Sequence, residues 1–167
     1  MDVMQAIETR KSIRKYLTKP IEAEKLEKIA QAFRKAPSAR NGQNWKLLIV
    51  TDPAAKARIR EESPSRHQML TEAPAILIGT CSVQNVMTNN HRVDTIDVSI
   101  AMSFAMLEAH ELGLGTCWMA NYTEPGLRKA LGLPDDVSVI AIMPVGYADE
   151  DPAPKPRKDI GDIVSYI

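Results

Sequence analysis

Hydrophobic residues recur along the chain in two rhythms. Val3, Met4 and Ile7 mark one face of a short helix over Val3–Arg10. Leu26, Ile29, Ala30 and Phe33 repeat at helical spacing over Glu22–Lys35, with an acidic first turn and Pro20 and Pro37 as punctuation. The run Leu47-Leu48-Ile49-Val50 is too continuous for a sheet wetted on one face, so Trp45–Thr51 predicts a strand buried on both. Pro53–Glu62 predicts a helix capped by Asp52, and Ser63–Glu72 a short helix at most. Ala75–Cys81 is a second buried strand, and Gln84–Arg92 a polar loop. Asp94–Leu112 is apolar nearly all round, which predicts a helix enclosed by its own domain or by a partner subunit. Gly113 stops it. Thr116–Met119 predicts a short strand, Glu124–Leu131 a helix ended by Gly132, and Val137–Val145 the last strong strand. The tail Gly146–Ile167 is proline-rich and charged, and its apolar end, Ile160–Ile167, needs a partner. It could add an edge strand to its own sheet or to a neighbour's. This order predicts one α/β or α+β layered domain over residues 1–167, with a sheet of roughly four strands covered on both faces.

Charge narrows the function. Twenty-one basic and 21 acidic residues cancel, which argues against a general nucleic-acid or polyanion binder. No apolar run approaches the ~20 residues of a membrane helix, and Met1–Met4 lacks the basic start of a secretory signal. Cys81 and Cys117 lie far apart with no C-x-x-C, so neither a structural zinc site nor a disulfide scaffold is expected. His67, His91 and His110 do not share metal-ligand spacing, so no metal is expected. These features fit a protein of a reducing compartment, and a cytoplasmic location is the expectation.

Four segments could carry chemistry. Arg10-Lys11-Ser12-Ile13-Arg14-Lys15-Tyr16 groups cations and a hydroxyl after a helix, the donors that a phosphate dianion calls for. The same cations suit a solvated helix end. Pro37–Trp45 offers amides that donate and accept at once, as a heterocycle edge requires, or it is an ordinary helix-to-strand loop. Gly113-Leu114-Gly115-Thr116-Cys117-Trp118 follows a helix instead of opening one, so it is not a dinucleotide fingerprint. Its Cys117 has no local base, and a small buried hydrophobe competes with the nucleophile reading. In Pro152-Ala153-Pro154-Lys155-Pro156-Arg157-Lys158, prolines stiffen a tail that carries cations, which is either a surface tail or part of a site.

In this order, the four segments resemble the FMN-dependent nitroreductase family over nearly the whole length, in its compact branch. The marks are Arg10–Arg14, the Pro37–Trp45 loop, the Gly113–Trp118 turn, and Pro144–Tyr147 followed by Lys155-Pro156-Arg157. The resemblance implies an α+β three-layer sandwich with a mainly antiparallel central sheet flanked by helices. It also implies a domain-exchanged homodimer with two FMN sites at the interface. It puts Arg10, Lys11, Ser12 and Arg14 on the phosphate, ribityl chain and pyrimidine side of FMN, and makes Lys155 and Arg157 late phosphate ligands. Pro37, Ser38 and Ala39 match the segment laid by the other subunit near the dimethylbenzene end, with Asn41 and Gln43 as polar positions of that loop. Ala120 and Asn121 match the place where a backbone N–H approaches flavin N5. The implied activity is a ping-pong reduction of nitro-aromatic, quinone or similar small acceptors by NADH or NADPH, with Arg14 the electrostatic stabiliser of reduced flavin. Dehalogenation, flavin fragmentation or flavin binding without turnover are the alternatives. The sequence departs from the pattern in two places: Asn44 stands where a proline is common, and only Ser82–Val93 separates the second strand from the long helix. Ser65, Arg66 and Gln68 are the candidates for a middle-segment flavin contact.

Overall fold

The computed structural model describes residues 1–64 and 66–167. Seven helices, α1 (Val3–Thr9), α2 (Ala23–Arg34), α3 (Pro53–Glu61), α4 (Met69–Glu72), α5 (Val93–Glu111), α6 (Glu124–Leu131) and α7 (Ile160–Ile163), accompany four strands among these residues. The strands are β1 (Trp45–Val50), β2 (Ala75–Cys81), β3 (Gly115–Thr116) and β4 (Ser138–Gly146), in the order β1-β2-β4-β3, with every pairing antiparallel.

The central strands are buried on both faces, as their unbroken apolar runs require: every residue of β2 is buried. Alternate residues feed two cores. Ala75, Leu77, Ala141, Met143 and Val145 meet α2 and α5, while Ile76, Ile78 and Ile142 meet α3, α4 and α6. Three layers result. α5 crosses the sheet closely at Gly79, where an ideal Cβ would lie 2.6 Å from Val98 Cγ1 and 2.8 Å from Met102 Cγ. Caps set the helix ends. The Asp52 carboxylate accepts from Ala55 N–H, and Gly113, at φ +76°, ends α5. There Gly113 N–H donates to His110 C=O and Leu114 N–H to Ala109 C=O, closing a Schellman turn.

Four expectations change. The run expected to be buried on both faces forms the edge strand β1, which is half-buried with Lys46 exposed. Among the described residues of 63–72, only Met69–Glu72 is helical. The strand expected over Thr116–Met119 keeps regular pairing only at Gly115–Thr116, then one bridge from Met119 to Ile142. Its next pairing position falls opposite Pro144. Cys117 N–H donates to Pro144 C=O, but proline has no N–H to return, so the ladder breaks there. The tail adds no edge strand to its own sheet: Ile160–Ile163 is a short helix, and Ile160–Ile167 is exposed. Also exposed are Val3, Met4 and Ile7 of α1, with Ile96 and Phe104 of α5.

Gly79→Ala should cost about 1–3 kcal/mol through overpacking against α5. Urea unfolding should show a lower midpoint with an unchanged slope.

Candidate functional site

The segment after α1 is fixed by its buried members. Ile13 and Tyr16 are buried, Ile13 N–H donates to Thr116 C=O at 2.8 Å, and Ser12 bridges Thr116 in parallel. Gly115 admits this approach, since an ideal Cβ there would lie 2.5 Å from Ile13 Cγ1. The Tyr16 hydroxyl donates toward Ile13 C=O at 2.6 Å and Pro144 C=O at 3.2 Å. Burial pushes its pKa up, so it stays a donor.

The chain after β4 then lies antiparallel on this segment. Leu17 N–H donates to Tyr147 C=O at 2.9 Å, Asp149 N–H to Lys15 C=O at 3.0 Å, and Tyr16 bridges Ala148. The Glu150 carboxylate accepts from the backbone N–H groups of Arg14 at 2.5 Å and Lys15 at 3.3 Å. Lys11 Nζ pairs with Asp151 at 2.6 Å. Beyond this fastening, Pro152, Ala153 and Pro154 form a wall facing Ile7 and Glu8.

Between the two segments lies a groove of about 420 Å³, lined by Arg10, Lys11, Ser12, Arg14, Lys155 and Arg157 together with that wall. Six predicted residues, up to 147 positions apart, thus meet. Lys11 is neutralised by Asp151. Among the described residues, Arg10, Arg14, Lys155 and Arg157 have no carboxylate partner within 4.0 Å. Guanidinium forks without a carboxylate partner, an ammonium and a hydroxyl at one groove are donor types that suit a phosphate, with the Arg14 guanidinium also reaching Ser12 C=O at 3.4 Å. A second hollow, of about 660 Å³, meets the first at Arg14 and is lined by Lys15, Tyr16, Thr18, His67, Gln68, Met69, Glu72, Asp149 and Glu150.

The remaining predicted residues lie elsewhere in this chain. Pro37, Ala39, Asn41 and Gln43 are exposed and Ser38 half-buried, on a loop outside both hollows. Ala120 and Asn121 are exposed just after the Met119 bridge, also outside both. Of the middle-segment candidates, Gln68 lines the hollow beside Arg14, Arg66 instead pairs with Glu61 at 3.4 Å, and Ser65 lies outside the described residues. The short segment before α5 folds on itself through a Val86–Arg92 bridge. Arg92 pairs with buried Asp94 and donates to Ser138 Oγ at 3.0 Å.

Cys117 is buried, and desolvation pushes its thiol pKa up despite Arg14 and Arg10 nearby, the setting of a small buried hydrophobe and not of an activated nucleophile. His110 contacts Thr9 Oγ1 at 2.8 Å, and its pKa is lowered by burial and by the Arg10 charge. Among the described residues no group of three His, Cys, Asp or Glu gathers as for a metal, and no helix is long and apolar enough to cross a membrane. Sequence reasoning missed Glu150 and Asp151, the residues that fasten the cradle. Their one signal was an acidic Asp-Glu-Asp run just before the tail's cations.

The nitroreductase family pattern matches residues 7–66 and 60–147. A protein of Methanothermobacter thermautotrophicus, provisionally assigned as an NADH dehydrogenase/NAD(P)H nitroreductase, is 33% identical over 156 residues, covering 91% of this chain and 80% of its own. The iodotyrosine deiodinase of Thermotoga neapolitana is 30% identical over 185 residues, 94% of this chain and 93% of its own. The solved structure of an FMN-dependent nitroreductase from Clostridium difficile R20291 superposes with a TM-score of 0.77 at 29% identity, over 96% of this chain and 94% of its own. With the three-layer fold and the four motifs in their order, these matches lead to one conclusion: the chain belongs to the nitroreductase family.

Proposed function

We propose that the groove between the Arg10–Arg14 segment and the Pro152–Arg157 wall holds the phosphate end of FMN. The protein is then an FMN-dependent NAD(P)H oxidoreductase that reduces nitro-aromatic, quinone or similar small acceptors. The observation that carries this reading is the convergence of four unpaired cations and the Ser12 hydroxyl on one groove. That donor set fits a phosphate dianion, and the wall of Pro152, Ala153 and Pro154 gives it an apolar side.

Bound FMN supplies hydride acceptance and donation at its ring, with negative charge gathering on the pyrimidine side on reduction. Each residue then has a task. Arg10, Ser12, Lys155 and Arg157 bind the phosphate. Arg14, where the two hollows meet, faces the pyrimidine side and lowers the cost of charge there. Glu150 orients Arg14 by gripping its backbone N–H, so the carboxylate leaves the guanidinium free for this work. Gln68 stands beside it as a second polar contact. No protein nucleophile or base is required, in keeping with a Cys117 held as a thiol. The deiodinase relative supports a second reading, reductive dehalogenation of a halogenated phenol. Turnover of a nitro-aromatic set against that of an iodophenol, with NADH and NADPH each as donor, separates the two.

The apolar faces left open support a homodimer with an exchanged tail. Ile160, Ile163 and Tyr166 are 72%, 64% and 98% exposed, and Phe104 stands out from α5. Such surface needs a second copy. In that dimer Pro37, Ser38 and Ala39, with Asn41 and Gln43 of the same loop, meet the flavin ring from the other subunit, and a backbone N–H at Ala120 or Asn121 approaches flavin N5. A cytoplasmic location completes the reading.

The purified protein should be yellow with noncovalent FMN; a colourless protein that fails to bind added FMN overturns the assignment. Arg14→Gln should lower the flavin potential by about 30 mV, which is about 1.4 kcal/mol for two electrons, while FMN binding changes little. Arg157→Gln should do the reverse, weakening FMN retention about tenfold through a lost charge-assisted contact. Redox titration of both variants, each saturated with FMN, makes the comparison. Equal potentials would leave Arg14 as one more positioning group.

Arg10→Gln should weaken FMN by about tenfold and Lys11→Gln by less than about threefold, because Asp151 already offsets the Lys11 charge. Fluorescence titration of the apoprotein gives both constants, and a Lys11 effect as large as that of Arg10 contradicts the assigned roles.

Sedimentation at micromolar concentration should show a dimer, and Phe104→Asp should shift it toward monomer. A wild-type monomer at that concentration overturns the exchange.

A further inference from the structure

We infer that Asp97, on the first half of α5, is a positioning residue: its carboxylate holds the Pro37–Gln43 loop in the shape that meets the flavin ring. The inference rests on the proposal that this loop contacts the ring.

Asp97 is 7% exposed, and among the described residues it has no ion pair. A buried carboxylate without a cation is costly unless backbone donors satisfy it. Here the donor is Ala39 N–H, which lies 3.1 Å from each of the two Asp97 oxygens. The partner is therefore the loop itself, 58 residues earlier in the chain.

The loop needs a hold. Arg40, Asn41 and Gln43 take φ values of 53°, 54° and 50°, in the left-handed region that non-glycine residues occupy at a cost. Both ends of the loop are anchored. Ala36 is buried, and Trp45 packs edge-on against Phe33 with ring centroids 5.8 Å apart. Between those ends Asn41 N–H donates to Ser38 C=O, Gly42 N–H to Ala39 C=O, Gln43 Nε2 to Asn41 C=O, and Gln43 N–H to Ser38 Oγ at 3.1 Å, while among the described residues the bond to Asp97 is the one that leaves the loop. The Ser38 contact is internal to the loop. Asp97 ties it to the longest helix, which packs on β2 at Gly79. Strain held by a rigid element is how a site keeps one shape before its ligand arrives.

The test compares Asp97→Ala with Asp97→Asn in the full-length protein. The amide keeps one oxygen able to accept from Ala39 N–H, while alanine keeps none. Three quantities are read: dissociation constants for FMN and for riboflavin, the visible circular dichroism of bound flavin, and hydrogen exchange at Ala39. Asp97→Ala should weaken FMN and riboflavin by the same factor, about tenfold, because the loop meets the ring and not the phosphate. It should also change the flavin dichroism and speed exchange at Ala39. Asp97→Asn should stay within about threefold of wild type. Should Asp97→Ala not fold, Asp97→Ser takes its place, with a hydroxyl too short to reach the loop. A variant that loses thermal stability but keeps both affinities and the dichroism overturns the inference, leaving Asp97 a structural residue. Loss of FMN with riboflavin spared overturns it too, since the damage then lies at the phosphate cradle. Wild-type protein that binds no FMN overturns the cofactor proposal itself; wild-type binding with an indifferent Asp97→Ala overturns Asp97 alone.

Discussion

Five cations, one of them paired with Asp151, share the groove against their mutual repulsion, and what keeps them there is the strip of chain after β4 laid on the strip after α1. Backbone bonds from Leu17 and Asp149, the Glu150 carboxylate across Arg14 and Lys15, and the Lys11–Asp151 pair fix that contact at several points. The acids serve twice. They fasten the backbone, and they offset part of the positive charge without touching the guanidinium groups that face the groove. Charge placed by rigid backbone need not reorganise when an anion arrives, which is the condition for strong electrostatic stabilisation.

The same contact depends on the sheet. β3 is two residues long, yet Thr116 C=O receives Ile13 N–H and so sets the position of Ser12 and Arg14. Pro144 ends that strand's ladder and also accepts from Tyr16. One residue thus shapes the edge strand and helps anchor the cradle beside it.

Local signals were legible in the sequence where their physics is local. The Asp52 cap, the Gly113 and Gly132 stops and the unbroken apolar runs of β1, β2 and β4 placed the elements to within a residue or two. The cation clusters were legible as residue types, and the motif order joined segments that spacing alone left separate and that the fold brings to one groove. Glu150, Asp151 and Asp97 were not legible, because an acid that grips a backbone N–H far along the chain leaves no local pattern. Pairing after Thr116 was overcalled because the proline that breaks it lies on another strand. Asn44 was legible as a departure from the family, and its structural correlate is the φ of 50° at Gln43. A proline at position 44 would push Gln43 toward extended conformations.

The cradle joins residue 10 to residue 157, and this has a consequence for how the protein is made. During synthesis, α1 and its cations emerge first, and the groove has only one wall until the Pro152–Arg157 stretch has left the ribosome. Closing so long a loop is slow relative to local helix formation. An anion that binds only the closed groove adds RT ln(1 + [L]/Kd) to the stability of that state alone. A phosphate ligand held as proposed would therefore add its stability last, at the Pro152–Arg157 wall, after the sheet and the Glu150 and Asp151 fastenings are complete.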